Sequence, residues 1–204
     1  MPSNNYSVVV FDLGNVLIPF DYNIVINRFN NISSGLGDKF VEYYKSNYEI
    51  HRGFECGDLS EDEFIGKMLD VLENKVNKET FCNAYSKIFK VNEDVAALLP
   101  ELKKNYKLVL LSNTNSIHME YGWKGYEFLN NFDKLILSHE VGAVKPEPEI
   151  YKAVEEFTGE KPEKHIFIDD VKEYAEGAKT MGWDAVQFTD YENLVKDLKA
   201  RNIL

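Results

Sequence analysis

A chain of 204 residues exceeds a typical single domain, so one α/β domain carrying a smaller insert is the natural reading of its length. Its formal charge of −11 argues against a nucleic-acid partner, whose affinity comes mainly from Lys and Arg displacing counterions from phosphates. Cys56 and Cys82 are too few for a disulfide framework or a zinc site, and there is neither a leader pattern nor a run of about 18 apolar residues. The expected setting is therefore a reducing cytoplasm, away from membranes.

The first strand is expected over 7–11, in VVVF, and it runs into Asp12 and the turn D-L-G. Some seventy residues of different character follow. The stretches 22–30, 39–54, 60–73 and 78–89 each space apolar residues at helical intervals, which predicts a four-helix insert. Ser60 with Glu63 forms a capping box that fixes one helix start. Because the insert leaves the chain just after Asp12, it is expected over the sheet edge, as a lid. From residue 92 strands and helices alternate, which is the pattern of a parallel sheet with crossover helices. Strands are expected over 107–112, 134–138, 165–169 and 184–188, and helices over 93–105, 149–157, 172–181 and 191–201. Asn92, Gly159 and Gly182 serve as caps or stops. The expected division is an α/β domain of residues 1–19 and 92–204 and a helical cap of residues 20–91.

In an open parallel sheet, ligands collect beyond the carboxyl ends of the strands. Asp12 ends the first strand, Ser112 the second and the Asp169-Asp170 pair the fourth, while Lys145 follows the third. Carboxylates gathered at one edge repel one another unless a cation satisfies them, and Mg²⁺ is the usual occupant where a phosphate completes the shell. Singly these residues read as turn, cap and surface residues. Their order along successive strand tips is what points to a phosphoryl-binding site.

With FDLGNVL, LLSNT, KPEPEIY and IDD in this order, the chain resembles the haloacid dehalogenase superfamily of hydrolases, with a helical insert like that superfamily's type-one cap. Within it, FDLGNVL with LSNTN most resembles the bacterial α-glucose-1-phosphate phosphatase branch. The resemblance implies a doubly wound α/β fold and a Mg²⁺-dependent phosphatase acting on a small phosphorylated metabolite. Asp12 would be the nucleophile that becomes an aspartyl-phosphate and also a metal ligand, joined by the carbonyl of Gly14 and by Asp170. Asp169 would support the metal site by orienting a water or Lys145. Ser112 and the backbone of Asn113 would hold the phosphoryl oxygens, and Lys145 would offset their charge.

Gly14 departs from the commoner pattern, in which a second aspartate protonates the leaving oxygen and then activates water. That role is worth about 10²–10⁴ in rate, or roughly 3–5 kcal/mol. A sugar 1-phosphate, whose anomeric oxygen leaves more readily than an ordinary alcohol, suits such a site. Gly14→Asp is then expected to hold or raise the rate on poor leaving groups. Val171 and Tyr174 also replace smaller or amide residues. In the insert, His51 and Arg52 are candidates to meet the leaving group, although a solvated helix face is the blander reading. Asp21 is a minor candidate for the proton. His118 reads as a surface residue, Tyr43, Tyr44 and Tyr48 as insert core or interface, and Trp123 and Tyr126 as lining of the entrance. A 2-haloacid dehalogenase, whose halide leaves without a proton, and a phosphate-binding regulatory protein without turnover are the rival functions. A receiver domain is excluded by order, since its acidic pair comes on the first strand.

Overall fold

The computed structural model describes residues 5–204, built around strands β1 (Val8–Phe11), β2 (Lys107–Ser112), β3 (Lys134–Leu137), β4 (His165–Asp169) and β5 (Asp184–Gln187). All pairings are parallel, in the order β3-β2-β1-β4-β5. The strands read as near-continuous apolar runs because both faces are covered. Val9, Phe11, Leu108, Leu110, Ile166 and Ile168 point into one core, and Val8, Val10, Val109, Leu111 and Phe167 into the other. The first core is closed by α6 (Glu93–Ala96), α7 (Leu99–Leu102) and α12 (Tyr191–Ala200), and the second by α10 (Pro148–Thr158) and α11 (Lys172–Thr180). This is a doubly wound sheet with β1 at its centre.

Between β1 and β2 lies the insert, made of α1 (Asn23–Ile32), α2 (Leu36–Ser46), α3 (Tyr48–Glu55), α4 (Glu61–Val71) and α5 (Lys78–Ser86). Phe29, Phe40, Phe54, Phe64, Phe81 and Tyr85 form an apolar cluster of its own, with Phe54 stacked on Phe64 at 4.2 Å between centroids. Each such ring contributes roughly 1.5–3 kcal/mol by leaving water. The chain enters and leaves the insert side by side: Phe20 bridges to Phe89, Lys90 N donates to Pro19 O (3.0 Å) and Asn92 N to Leu17 O (2.8 Å). After β2 come the short α8 (Ser116–His118) and a π turn, and after β3 the short α9 (Ser138–Val141).

Five insert helices form where four are expected, because the second predicted stretch breaks at Asn47. Its φ of −134° is not helical, and its side-chain amide joins its own N–H on the Tyr43 carbonyl (3.0 and 2.9 Å), closing α2 there. The expected helix over 93–105 is likewise two short pieces. Pro100 falls in the first turn of the second, where its missing N–H is tolerated, and could not have served the interior of one long helix. The Ser60–Glu63 capping box forms as read, and Gly159 closes α10 at φ +68°. Asn92 sits at the start of α6, but its amide donates to Val16 O (3.1 Å) instead of capping. Strand ends agree to within a residue, with Ser138 starting α9.

Candidate active site

Phe11 lies level with Leu110 and Ile168, so the tips of the three central strands fall together at one edge of the sheet. There Asp12, Asp169 and Asp170 each offer a carboxylate oxygen, all within 4.8 Å of one another. Lys145, only 3% exposed, reaches in from the loop after α9. Its Nζ donates to Asp12 Oδ1 (2.5 Å), Asp169 Oδ2 (2.7 Å) and the carbonyl of Leu111 (3.2 Å). Asn113 clasps the same residue by its backbone, accepting from Lys145 N (2.7 Å) and donating to Lys145 O (3.2 Å). Asp169 spends its second oxygen on Val171 N (2.8 Å), so both are engaged by the protein. Asp170 is held by one side-chain bond, from Asn15 Nδ2 (3.2 Å), and Asn15 sits at φ +54° in the turn after Asp12.

Three carboxylates against one ammonium leave two negative charges when all are ionised, which is the charge of one divalent cation. Burial pushes the Asp12 carboxyl up to about 7, with Asp169 and Asp170 adding to the push and Lys145 opposing it. Burial also raises Asp170, with Asn15 opposing it. Burial works against the Lys145 ammonium, but Asp12 and Asp169 outweigh it and hold the proton more firmly than usual. Hard oxygen donors carrying this surplus charge fit Mg²⁺. The Gly14 carbonyl accepts one hydrogen bond, from Val16 N (2.7 Å), and keeps a second lone pair.

A cavity of about 230 Å³ opens over these groups, walled on the sheet side by Asp12, Gly14, Asn15, Asn113, Lys145, Asp170, Val171 and Tyr174. On the insert side its walls are Phe20, Tyr22, Tyr44, Tyr48, His51 and Glu55. Burial raises the phenols of Tyr22, Tyr44, Tyr48 and Tyr174, so they stay protonated as hydrogen-bond donors. Ser112, 3% exposed, lines a smaller adjoining cavity of about 80 Å³ with Gly14, Asn113, Glu55 and His118.

Asp12, Gly14, Ser112, Asn113, Lys145, Asp169 and Asp170 thus converge. The expected insert pair divides. His51 is buried and lines the cavity, against the solvated-face reading, whereas Arg52, one residue or about 100° further round α3, is exposed and paired with Glu147. Asp21 is exposed and caps α1 by accepting from Asn23 N (2.8 Å), outside the cavity wall. His118 is buried, stacked on Tyr85 at 4.1 Å, because the insert covers it. Trp123 lies within the sheet core at 1% exposure, and Tyr126 packs against that core with its hydroxyl on Phe89 O (3.0 Å), so neither lines the entrance. Tyr44 and Tyr48 face the cavity while Tyr43 packs in the insert. Asn15, Phe20, Tyr22 and Glu55 are the wall residues that sequence reasoning passed over. His51 and Glu55 stand four apart on a helix, a spacing that puts them on one face.

Over residues 9–188 the sequence matches the family model described as haloacid dehalogenase-like hydrolase. It is 30% identical over 191 residues to a D-ribitol-5-phosphate phosphatase of Bacteroides thetaiotaomicron, covering 88% of this chain and 90% of that one. A phosphorylated carbohydrates phosphatase of Thermotoga maritima is 25% identical over 187 residues, 87% and 82% of the two chains. The fold superposes with a TM-score of 0.78 on a HAD family enzyme of Bacteroides thetaiotaomicron crystallised with magnesium and inorganic phosphate, at 28% identity over 93% of this chain and 98% of that one. Sheet topology, strand-tip residues and sequence agree, and the chain belongs to the haloacid dehalogenase-like hydrolase family.

Proposed function

We propose that this hydrolase is a Mg²⁺-dependent phosphatase of small phosphorylated carbohydrates that works through an aspartyl-phosphate on Asp12. The observation that carries the reading is the buried Lys145 bonded to both Asp12 and Asp169, with Asp170 inside the same 4.8 Å group. The names of the two phosphatase relatives support the substrate class. In this reading residues 1–19 and 92–204 are the catalytic domain and residues 20–91 the cap.

Asp12, Asp170 and the Gly14 carbonyl would hold the cation. Bound there, magnesium supplies positive charge that draws negative charge off the phosphoryl oxygens and aligns them. Lys145 takes one oxygen of Asp12 and fixes that carboxylate for attack on phosphorus. Asp169, bonded through one oxygen to Lys145 and through the other to Val171 N, orients Lys145 beside the cation. The Ser112 hydroxyl and the Asn113 backbone N–H bind phosphoryl oxygens, which stabilises the trigonal charge during transfer. Attack on Asp12-phosphate by water then frees phosphate. The aromatic and phenolic insert wall suits the apolar faces and hydroxyls of a sugar or polyol.

Sugar 1-phosphates, which need the least protonation on leaving, head the test panel, followed by sugar 6-phosphates and polyol 5-phosphates. Phosphate release is measured with Mg²⁺ and with EDTA, for the native protein and for Asp12→Asn. Mg²⁺-dependent release that Asp12→Asn abolishes, with an unchanged circular dichroism spectrum, is expected. Release that survives in Asp12→Asn would overturn the reading. Chloride release from a 2-haloacid in EDTA would favour the dehalogenase instead.

A further inference from the structure

Gly14 leaves open where the leaving oxygen finds its proton. A side chain there is missing, and one added would crowd a neighbour, since a Cβ at Gly14 would come 3.2 Å from the Phe20 ring. The proton must come from another wall of the cavity. Lys145 is committed to two carboxylates, and the four phenols are held protonated by burial. Asp170 is tied to Asn15 beside the cation position. What remains among the lining residues is Glu55 with His51.

Glu55 lines both the large cavity and the small one, as do Gly14, Phe20, Tyr22 and Asn113, so it borders the space that joins them. It shares the wall of the large cavity with the phenols of Tyr22, Tyr44 and Tyr48. Its side chain is 16% exposed, and Oε1 lies 3.2 Å from His51 Nε2. His51 is fixed in turn. Its Nδ1 is 3.4 Å from the Tyr85 hydroxyl, and its ring lies 4.6 Å from that of Tyr44. With the Tyr85 hydroxyl donating to Nδ1, the N–H of the imidazole is Nε2, facing Glu55.

The end of α3 is also pinned to the sheet edge. Gly57 packs so closely on the His139 carbonyl that a Cβ would come within 2.6 Å of its oxygen, and its φ of +74° suits glycine. Arg52 pairs with Glu147, two residues beyond Lys145. The helix that carries Glu55 is thus tied to the loop that carries the site's ammonium group.

We infer that Glu55, oriented by His51, is the proton donor to the leaving oxygen and the proton acceptor from the attacking water, supplying from the insert what position 14 lacks. The inference rests on the phosphatase reading above. In the first half-reaction Asp12 forms a bond to phosphorus, the bond from phosphorus to the leaving oxygen breaks, and the Glu55 carboxyl proton passes to that oxygen. In the second, a water oxygen bonds to phosphorus, its proton passes to the Glu55 carboxylate, and the Asp12–phosphorus bond breaks. Both groups are then restored. His51 is a positioning residue, which donates through Nε2 to the ionised Glu55.

The experiment compares Glu55→Gln with the native protein in Mg²⁺ on glycerol 2-phosphate, whose alkoxide needs a proton, and p-nitrophenyl phosphate, whose phenolate does not. For both substrates kcat/KM reports the step that forms aspartyl-phosphate. We expect Glu55→Gln to lose about 10²–10⁴ in kcat/KM on the alkyl phosphate, with a loss at least tenfold smaller on the aryl phosphate. With the aryl phosphate the variant should also show a burst of p-nitrophenolate stoichiometric with enzyme, because hydrolysis of aspartyl-phosphate has lost its base. His51→Asn should show the same selectivity to a smaller degree. Equal loss on both substrates would make Glu55 a binding or structural residue and overturn the inference, as would no loss on either. Absence of a burst would overturn the acceptor half. If the native protein releases phosphate from neither substrate nor from the sugar panel, the phosphatase reading itself falls, a result distinct from any pattern of the variant.

Discussion

Lys145→Met removes the ammonium while keeping most of the side chain's volume, and its cost follows from the burial of what it leaves behind. The lysine is 3% exposed, and its partners Asp12 and Asp169 are 6% and 0% exposed, so neither carboxylate can recover its interaction from bulk water. Breaking a buried ion pair from one side typically costs about 3–5 kcal/mol. For a chain of this size a kilocalorie moves the melting temperature by roughly 2–4 °C, so a fall of about 6–20 °C is expected in EDTA at neutral pH. The check is a double-mutant cycle with Asp169→Asn, read by urea and thermal unfolding. Removing both charges should restore part of the loss, so that the double variant is more stable than the sum of the singles by about 0.5–3 kcal/mol. A Lys145→Met protein within about 0.5 kcal/mol of native stability would refute the argument, as would strict additivity in the cycle.

Burial lowers His118 from its ordinary value to about 3, so on acidification the unfolded chain takes up this proton before the folded one does. Its contribution is intact above about pH 6.5 and is lost as the pH falls towards 3, at up to about 1.4 kcal/mol per unit. His118→Phe keeps a ring against Tyr85 and should flatten the stability profile between pH 6.5 and 4.5, whereas parallel profiles would refute this. Gly14→Asp crowds the Phe20 ring, which packs edge-on to Tyr22 and Phe89. Against the sequence expectation, we expect the variant to lose about 1–3 kcal/mol of stability and gain no rate on alkyl phosphates. Urea unfolding and phosphate release check both halves, and a stable, faster Gly14→Asp would refute them.

The sheet and the strand-tip residues were legible because β1, β2 and β4 are each an apolar run that leads into a residue that is wrong for a core. Asp12, Ser112 and Asp169 announce themselves by following VVVF, KLVLL and HIFI. The insert's helices were legible by period, but not their breaks, which depend on Asn47 bonding its own helix and on Pro100 lacking an N–H. The insert wall was the least readable part. Period alone says that His51 and Arg52 cannot face the same way, yet which of them meets the site depends on how α3 docks against α9, a contact between segments some eighty residues apart. Glu55 was missed for the same reason, since a glutamate at the end of an exposed-looking helix carries no local sign that another part of the chain will cover it.

The two strands of chain that join insert to sheet run as bonded neighbours, Phe20 beside Phe89 and Pro19 beside Lys90. Seen from the sheet, whatever lies between them is one long loop closed at its base. Such a loop can be lengthened, trimmed or exchanged with little effect on the register of β1 against its neighbours, since each doubling of loop length costs only about 0.6 kcal/mol in closure entropy. Descent can therefore vary the insert while inheriting Asp12, Lys145 and the Asp169–Asp170 pair unchanged in the other module. If Glu55 carries the proton, this freedom has one limit: a replacement insert must bring its own acid or forfeit the harder leaving groups.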